Sequence, residues 1–245
     1  MTAYNVVHFQ SCSEHREPQY AAWQRGQLAR AILGSQGFRA VQFMSLQPVQ
    51  LQPSSPQPWR FCALYELQAA PGQVSSALET FSALARRNPR EAGLLHNDAA
   101  HVFELTRPHL PTSNPVDETA PLHVAFVMGN CIEGKEIEYD RWYDEVHSPE
   151  VLGTPDFVAM RRGRLASVQA TPHNDQPANR LVLLQIRSRD LHASIDEFIA
   201  RAHGTSPSGV KWAPRESAAG FASLNRTTHV FTPFSPRLTA VGSTV

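Results

Sequence analysis

The 245-residue sequence has no surplus of either charge, since 22 Lys and Arg balance 22 Asp and Glu. A chain that neutralises a phosphate backbone needs a basic excess, so nucleic acid is excluded as the main partner. Long hydrophobic runs are missing too. The longest, 122–128 and 181–186, fall far below the about 20 residues that span a bilayer, and the first contains His123. No basic start leading into an apolar stretch opens the chain, so no secretory signal is read and no membrane partner is expected. Cysteine is scarce. Cys12, Cys62 and Cys131 cannot all pair and lack metal-ligand spacing, which fits a reducing cytoplasm and no metal. Only 13 glycines occur, none set as a dinucleotide fingerprint or phosphate loop, and G-x-S-x-G and H-E-x-x-H are absent.

What the sequence does contain is an internal repeat. Shifted by 119 positions, residues 4–46 fall on 123–165 without a gap, and ten of the 43 pairs are identical. They include Cys12/Cys131, Tyr20/Tyr139, Trp23/Trp142, Gly34/Gly153 and Phe38/Phe157. Roughly three identities would arise by chance, and seldom at such rare residue types. The match continues as 61–67 on 181–187 and as His101-Val102-Phe103 on His229-Val230-Phe231. Between the copies, 107–121 is rich in proline and polar residues without periodicity, which predicts a linker. The expected units are therefore 1–107 and 122–236, joined by 108–121 and followed by a tail, 237–245.

The second copy is the easier to read. Residues 122–128 form a short apolar run suited to a buried strand, and 136–152 carry Tyr139, Trp142, Tyr143 and Val146 at helical spacing. Thr154-Pro155 ends that helix. Strands are expected over 157–165 and 181–186, a loop over 166–179, a helix over 190–203 and a last strand around 229–231. The first copy repeats the order over 4–9, 18–33, 38–46, 59–67, 73–87 and 101–105. This β-α-β-β-α-β order is that of ferredoxin-like α+β units. Each unit leaves one sheet face bare, so two in tandem are expected to bury those faces together as an intrachain pseudo-dimer.

The copies differ along the first helix. At 100° per residue with Trp142 at zero, Tyr139, Val146, Glu150, Tyr143 and His147 lie at about 60°, 40°, 80°, 100° and 140°. The first copy keeps the aromatic pair but has Gln24 for Tyr143, Leu28 for His147, Ala31 for Glu150 and Gln42 for Arg161. Shared residues suit packing, and residues found in one copy suit chemistry. His147 alone would be an ordinary surface or capping histidine; beside Tyr143 and Glu150 it reads as a general acid or base. Tyr139 and Trp142 serve equally as core or pocket wall. Asp144, near 200°, is read as solvated or paired with Arg141. Arg161 and Arg162 alternate on a strand, so only one faces inward, and a buried Arg there needs a carboxylate. His101 and His229, present in both copies, read as structural, and Cys131 as a small buried hydrophobe.

The stretch 136–157, EIEYDRWYDEVHSPEVLGTPDF, resembles the EthD-type branch of the dimeric α+β barrel superfamily, with its aromatic pair, V-H-x-P and strand entry. Asn130 through Gly134 resembles that family's first turn. Cys131 stands where the family pattern has proline, Asp156 where it has glycine, and the first copy lacks V-H-x-P. The resemblance implies a site in the second unit, His147 as the proton-transfer residue and the barrel interior as pocket. Relatives include cofactor-free isomerases, cyclases, dehydratases and monooxygenases, while distant ones bind haem.

The expected function is therefore a cofactor-independent lyase or isomerase acting on a hydrophobic, aromatic small molecule. The pocket would lie between the second sheet and its helices, with Tyr139, Trp142, Phe157 and Asn130 binding substrate. His147 would move the proton, Tyr143 or Arg161 would hold an oxyanion, and Glu150 would orient His147. Two rivals stand beside this: an oxidative or haem enzyme with His229 or His101 on iron, and a non-catalytic binder of hydrophobic metabolites. The chain is expected to be a monomer by internal pairing, or a homodimer.

Overall fold

The computed structural model describes residues 1–52, 54, 56–170 and 178–240, so half of the expected loop 166–179 and the end of the tail lie outside the described residues. Among the described residues, four longer helices and a short 3-10 turn at Arg215–Ala218 sit among nine strands. The strands are β1 (Thr2–Cys12), β2 (Phe38–Leu46), β3 (Phe61–Ala69), β4 (Leu95–Pro111), β5 (Leu122–Cys131), β6 (Phe157–Leu165), β7 (Arg180–Arg187), β8 (Ala222–Pro233) and a short β9 (Leu238–Thr239). Helix α1 covers 17–33, α2 71–91, α3 136–152, and α4 is Leu191–His203. Helix α4 starts where Asp190 accepts a hydrogen bond from the Ala193 amide at 3.0 Å and stops at left-handed Gly204. Both halves thus have the expected element order, with strands longer than the apolar runs alone suggested.

The strands form one antiparallel sheet ordered β3-β1-β4-β6-β7-β5-β8-β2, and a further β2–β3 pairing joins its ends. Eight strands therefore close into a barrel, which leaves no free edge around the ring. The seams between the halves are β4–β6 and β2–β8. At the first seam β4 runs on to Pro111, into the stretch expected to be linker, pairing Leu110 with Met160 and Pro111 with Ala159. Its register shifts twice around Arg107. Such irregular pairing accommodates Pro108 and Pro111, which have no N–H for a ladder. Nearby Gly163 lets the strands approach, since a Cβ there would lie 2.9 Å from the Glu104 carbonyl oxygen.

Strand register in the two halves is related by an offset of 119. Val7 pairs with Leu64 and Phe126 with Leu183, so the equivalence is Leu64/Leu183, not the offset of 120 read from similarity. One residue matters because it exchanges the two faces of a strand. Two turns also repeat with left-handed backbone: His15 (φ 61°) matches Gly134 (φ 76°), and Gly37 (φ 88°) matches Asp156 (φ 69°). Asp156 thus takes the conformation that the resembled pattern assigns to glycine, and it accepts a 2.6 Å hydrogen bond from Ser194.

Alternation along each strand separates two environments. In β1, Tyr4 and Val6 pack under the helices of the first half, while Val7 and Phe9 point into the barrel. The interior core draws on both halves, including Phe9, Met44, Leu64, Phe103, Phe126, Leu183 and Phe231. The Phe9 ring lies 5.6 Å from Phe126 and 5.9 Å from Phe231. His101 and His229 occupy equivalent inward positions, opposite Val7 and Phe126. His229 Nδ1 donates a 2.7 Å hydrogen bond to Gln57 Oε1, and burial lowers its pKa to about 4.

Two outcomes are expected. Phe9→Ala should cost about 3–5 kcal/mol, with both halves unfolding in one transition when followed by separate probes in urea. His229 binds its proton less readily folded than unfolded. Its contribution is therefore complete above pH 6.5 and lost as pH falls to about 4, amounting to about 3 kcal/mol. His229→Gln should flatten the fall in urea midpoint between those pH values.

Candidate functional site

Helix α3 is not uniform. Glu136–Trp142 and Ser148–Leu152 are α-helical, but Tyr143–His147 forms a π-helical turn, and Gln24–Leu28 does the same 119 residues earlier. A π turn brings residues five apart into register, where an α-helix would separate them by about 140°. His147 accordingly stacks on Trp142, with ring centroids 4.5 Å apart and planes 16° from parallel. Tyr143 meets the His147 ring at 5.2 Å and Tyr139 at 4.8 Å. From the chain after α4, Trp212 sets its ring perpendicular to His147 at 5.6 Å.

Glu150 reaches back to His147, its Oε2 lying 3.5 Å from Nδ1 at the outer limit of a hydrogen bond. Its other oxygen accepts from the Ala213 amide at 2.5 Å. One carboxylate therefore anchors the segment carrying Trp212 and faces the imidazole. Burial pushes the Tyr139 phenol well above its ordinary range, so it remains a neutral hydroxyl.

The stacked rings of α3 line a cleft of about 540 Å3, open space included, between the outer face of β5 and β8 and that helix. Asn130, Tyr139, Trp142, Tyr143 and His147 share it with Ser223 and Arg226. A deeper apolar extension past His147 is walled by Val151, Met160, Val182, Leu184 and Phe198. The cleft lies on the helix side of the sheet, as the stripe implied, and not inside the barrel, where aromatic rings fill the space.

Two expected members are elsewhere. Phe157 is 1% exposed and stacks on Phe198 at 4.9 Å, behind the wall. Arg161 points into the barrel and donates to Glu66 at 3.0 Å. A register shift between Phe157 and Ala159 changes which residues of β6 face the helices, and Arg162 takes the helix side. Asp144 stays exposed, as expected, but its partner is not Arg141. It accepts from buried Arg162 and from Arg107, the latter at 2.6 Å, because the π turn rotates it toward the sheet. The Arg162 guanidinium also lies 5.1 Å over the Tyr143 ring, supporting it from behind.

Arg226 and Trp212 were not legible as site residues. Arg226 enters the cleft because β8 pairs it with Gly129, a relation no local pattern encodes. Trp212 sits in an aperiodic stretch, where a lone large aromatic was the available signal. The equivalent place in the first half is filled by side chains. Gln24 donates to Gln10 at 2.6 Å, Gln10 donates to His8 Nδ1 at 2.7 Å, and His8 Nε2 donates to Asp98 at 3.0 Å. All four are buried, with Arg86 and Arg90 closing on Asp98.

Haem does not fit the histidines considered for it. His101 and His229 are 4% and 1% exposed, with rings 6.4 and 5.1 Å from Phe9, so iron ligation there requires opening the barrel core. Among the described residues no group of three or more His, Cys, Asp or Glu is placed to hold a metal, and no helix is long and apolar enough to cross a membrane.

Arg162 offers a test of the support under the cleft. Asp144→Asn removes the charge on its short contact and should destabilise the fold by about 1–3 kcal/mol, discounted for the partial exposure of Asp144. A fall in urea midpoint that Arg107→Ala does not reproduce is the expected result.

No protein-family profile matches the chain, and no curated protein matches it. Solved structures do. An anthrone oxidase-like protein aligns with a TM-score of 0.63 at 9% identity, over 98% of this chain and 94% of that one. A protein described as a candidate monooxygenase from Lactobacillus acidophilus aligns at 0.53 and 10%, over 98% and 97%. Chlorite dismutase from Candidatus Nitrospira defluvii, in complex with imidazole, aligns at 0.51 and 10%, over 94% and 91%. All three carry enzyme names. At these identities the likeness shows the fold, and that fold is the dimeric α+β barrel.

Proposed function

We propose that the protein is a cofactor-independent enzyme in which His147 transfers a proton on an aromatic, hydrophobic small molecule, as an isomerase, cyclase or dehydratase does. The observation that carries this reading is an imidazole held on three sides, by Trp142, Trp212 and Glu150, at the wall of a cleft that Tyr139, Trp142 and Tyr143 also line. A general base works when its ring is fixed and its second nitrogen is turned to an orienting group. Here Nδ1 faces Glu150, so the proton is exchanged at Nε2. His147 removes a proton from a carbon conjugated with a carbonyl, directly or through an aromatic ring, and the electron pair moves onto the carbonyl oxygen. Arg226 and Tyr143 hold that oxyanion, with Arg226 in the role first given to Arg161. The imidazolium then returns the proton to another carbon, giving isomerisation, or to a departing hydroxyl, giving dehydration.

The same reading takes the chain as two ferredoxin-like units fused in tandem, the first a barrel partner whose own cleft is plugged. It also makes the barrel complete in one cytoplasmic chain, without a second copy. An oxidative variant shares the first step, the carbanion then reducing molecular oxygen; its support is the likeness to the anthrone oxidase-like protein.

Anthrone, a fused aromatic ketone with an acidic C–H, is a suitable probe. In D2O the protein should accelerate exchange of that hydrogen, read by NMR, and His147→Ala should slow it by about 10²–10⁴-fold. Arg226→Met should slow it as well, and Arg161→Met should leave it within about twofold. Oxygen consumption would select the oxidative variant. Anthrone binding without exchange or oxygen uptake, or exchange indifferent to His147→Ala, would overturn the catalytic reading.

A further inference from the structure

The barrel has a cavity of its own at one end, separate from the His147 cleft. It measures about 490 Å3, open space included, and its walls come from both halves. The floor is apolar, with Leu64, Val124 and Leu183 continuing the interior core. Its rim is polar. Glu66 receives Arg161 at 3.0 Å on one oxygen and Arg237 at 2.7 Å on the other. Burial alone would raise the Glu66 carboxyl, but the hydrogen bonds and charges of Arg237 and Arg161 bring it below the ordinary range, so it is ionised. Two guanidinium groups therefore share one carboxylate, and the rim carries a net positive charge.

Unmet hydrogen bonds lie at Arg161 in its wall and at Asn5 on the strand beside Glu66. The Nε of Arg161 is buried with no partner among the described residues. Asn5, 0% exposed, directly opposes Glu66 on the neighbouring strand and shares the inward face of Val7 and Phe9. Neither atom of its side-chain amide has a partner. Buried donors left unpaired cost free energy, and in native structures they commonly mark a bound group. The Arg161 donor asks for an acceptor, the Asn5 amide can give one hydrogen bond and take another, and the surplus guanidinium asks for the acceptor on Arg161 to be negative. The apolar floor beneath requires the remainder of the ligand to be hydrophobic.

We propose that this barrel mouth is a second ligand site, specific for an apolar or aromatic molecule bearing a carboxylate. The carboxylate sits against Arg161 and Arg237, and the apolar body lies on Leu64, Val124 and Leu183. Glu66 holds the two arginines in place when no ligand is bound and competes with the ligand for them. Arg161 is thus a binding residue of this site and takes no part in the proton transfer at His147.

Isothermal titration of the full chain with 2-naphthoate, against the neutral 2-naphthalenemethanol, tests this. The carboxylate should bind at least about tenfold more tightly than the alcohol, because charge-assisted hydrogen bonds carry the difference. Arg161→Met and the more exposed Arg237→Met should each weaken naphthoate by about tenfold, and Glu66→Gln should strengthen it. His147→Ala should leave it unchanged. Urea midpoints identify any variant that loses binding by unfolding, and Arg237→Met keeps the test decisive if Arg161→Met does so. Equal affinity for acid and alcohol, no binding at millimolar naphthoate, wild-type affinity in both arginine variants, or dependence on His147 would each overturn the site. None of these outcomes bears on exchange of anthrone, so the two readings fail separately.

Discussion

Closure of the barrel is the constraint on which the other features rest. A four-stranded sheet with helices on one side leaves an apolar face toward water, and burial of such a face is the main favourable term in folding. Here the faces of the two halves meet around Phe9, Phe126 and Phe231, and the β4–β6 and β2–β8 seams pair the edges. Closure explains why β4 continues through two prolines with irregular register, since stopping earlier would leave β6 unpaired at the seam. It also sets where ligands can go. The middle of the barrel is filled with rings, so space remains at its mouth and on the outer, helix-covered faces.

The outer face of the second half is shaped by the π turn at Tyr143–His147. One residue per turn more than an α-helix brings His147 over Trp142 and Asp144 onto Arg162. The same turn exists in the first half, so the backbone device is shared and the side chains decide its use. There, His8, Gln10 and Gln24 fill the space that Val127, Gly129 and Tyr143 leave open in the second half. Small residues on β5 and large polar ones on β1 make the difference between a cleft and a plug.

Much of this was legible in one dimension. The offset of 119 predicted two copies of one element order, and strand and helix periodicity located most elements within a few residues, while β4 and β8 begin six or seven residues before the expected runs. The aromatic stripe with His147 and Glu150 was visible because one helix carries it. What misled was geometry that sequence spacing does not encode. An ideal 100° rotation placed Asp144 away from the sheet, and strict alternation without the register shift in β6 favoured Arg161 over Arg162. Arg226 was invisible because its neighbour Gly129 lies 97 residues away in the chain and beside it only in the paired strands.

The sequence by itself determined the α+β order, the repeat and the asymmetry between its halves, because these follow from local periodicity and from residue identity at matched positions. Tertiary structure alone decided which arginine faces which cavity, that the barrel core is solid, and that the barrel-mouth cavity is separate from the His147 cleft. Those outcomes depend on strand register, a helical irregularity and the closing of the ring. Each is set by contacts between residues far apart in the chain, which satisfy hydrogen bonds and bury apolar surface together only in the folded molecule.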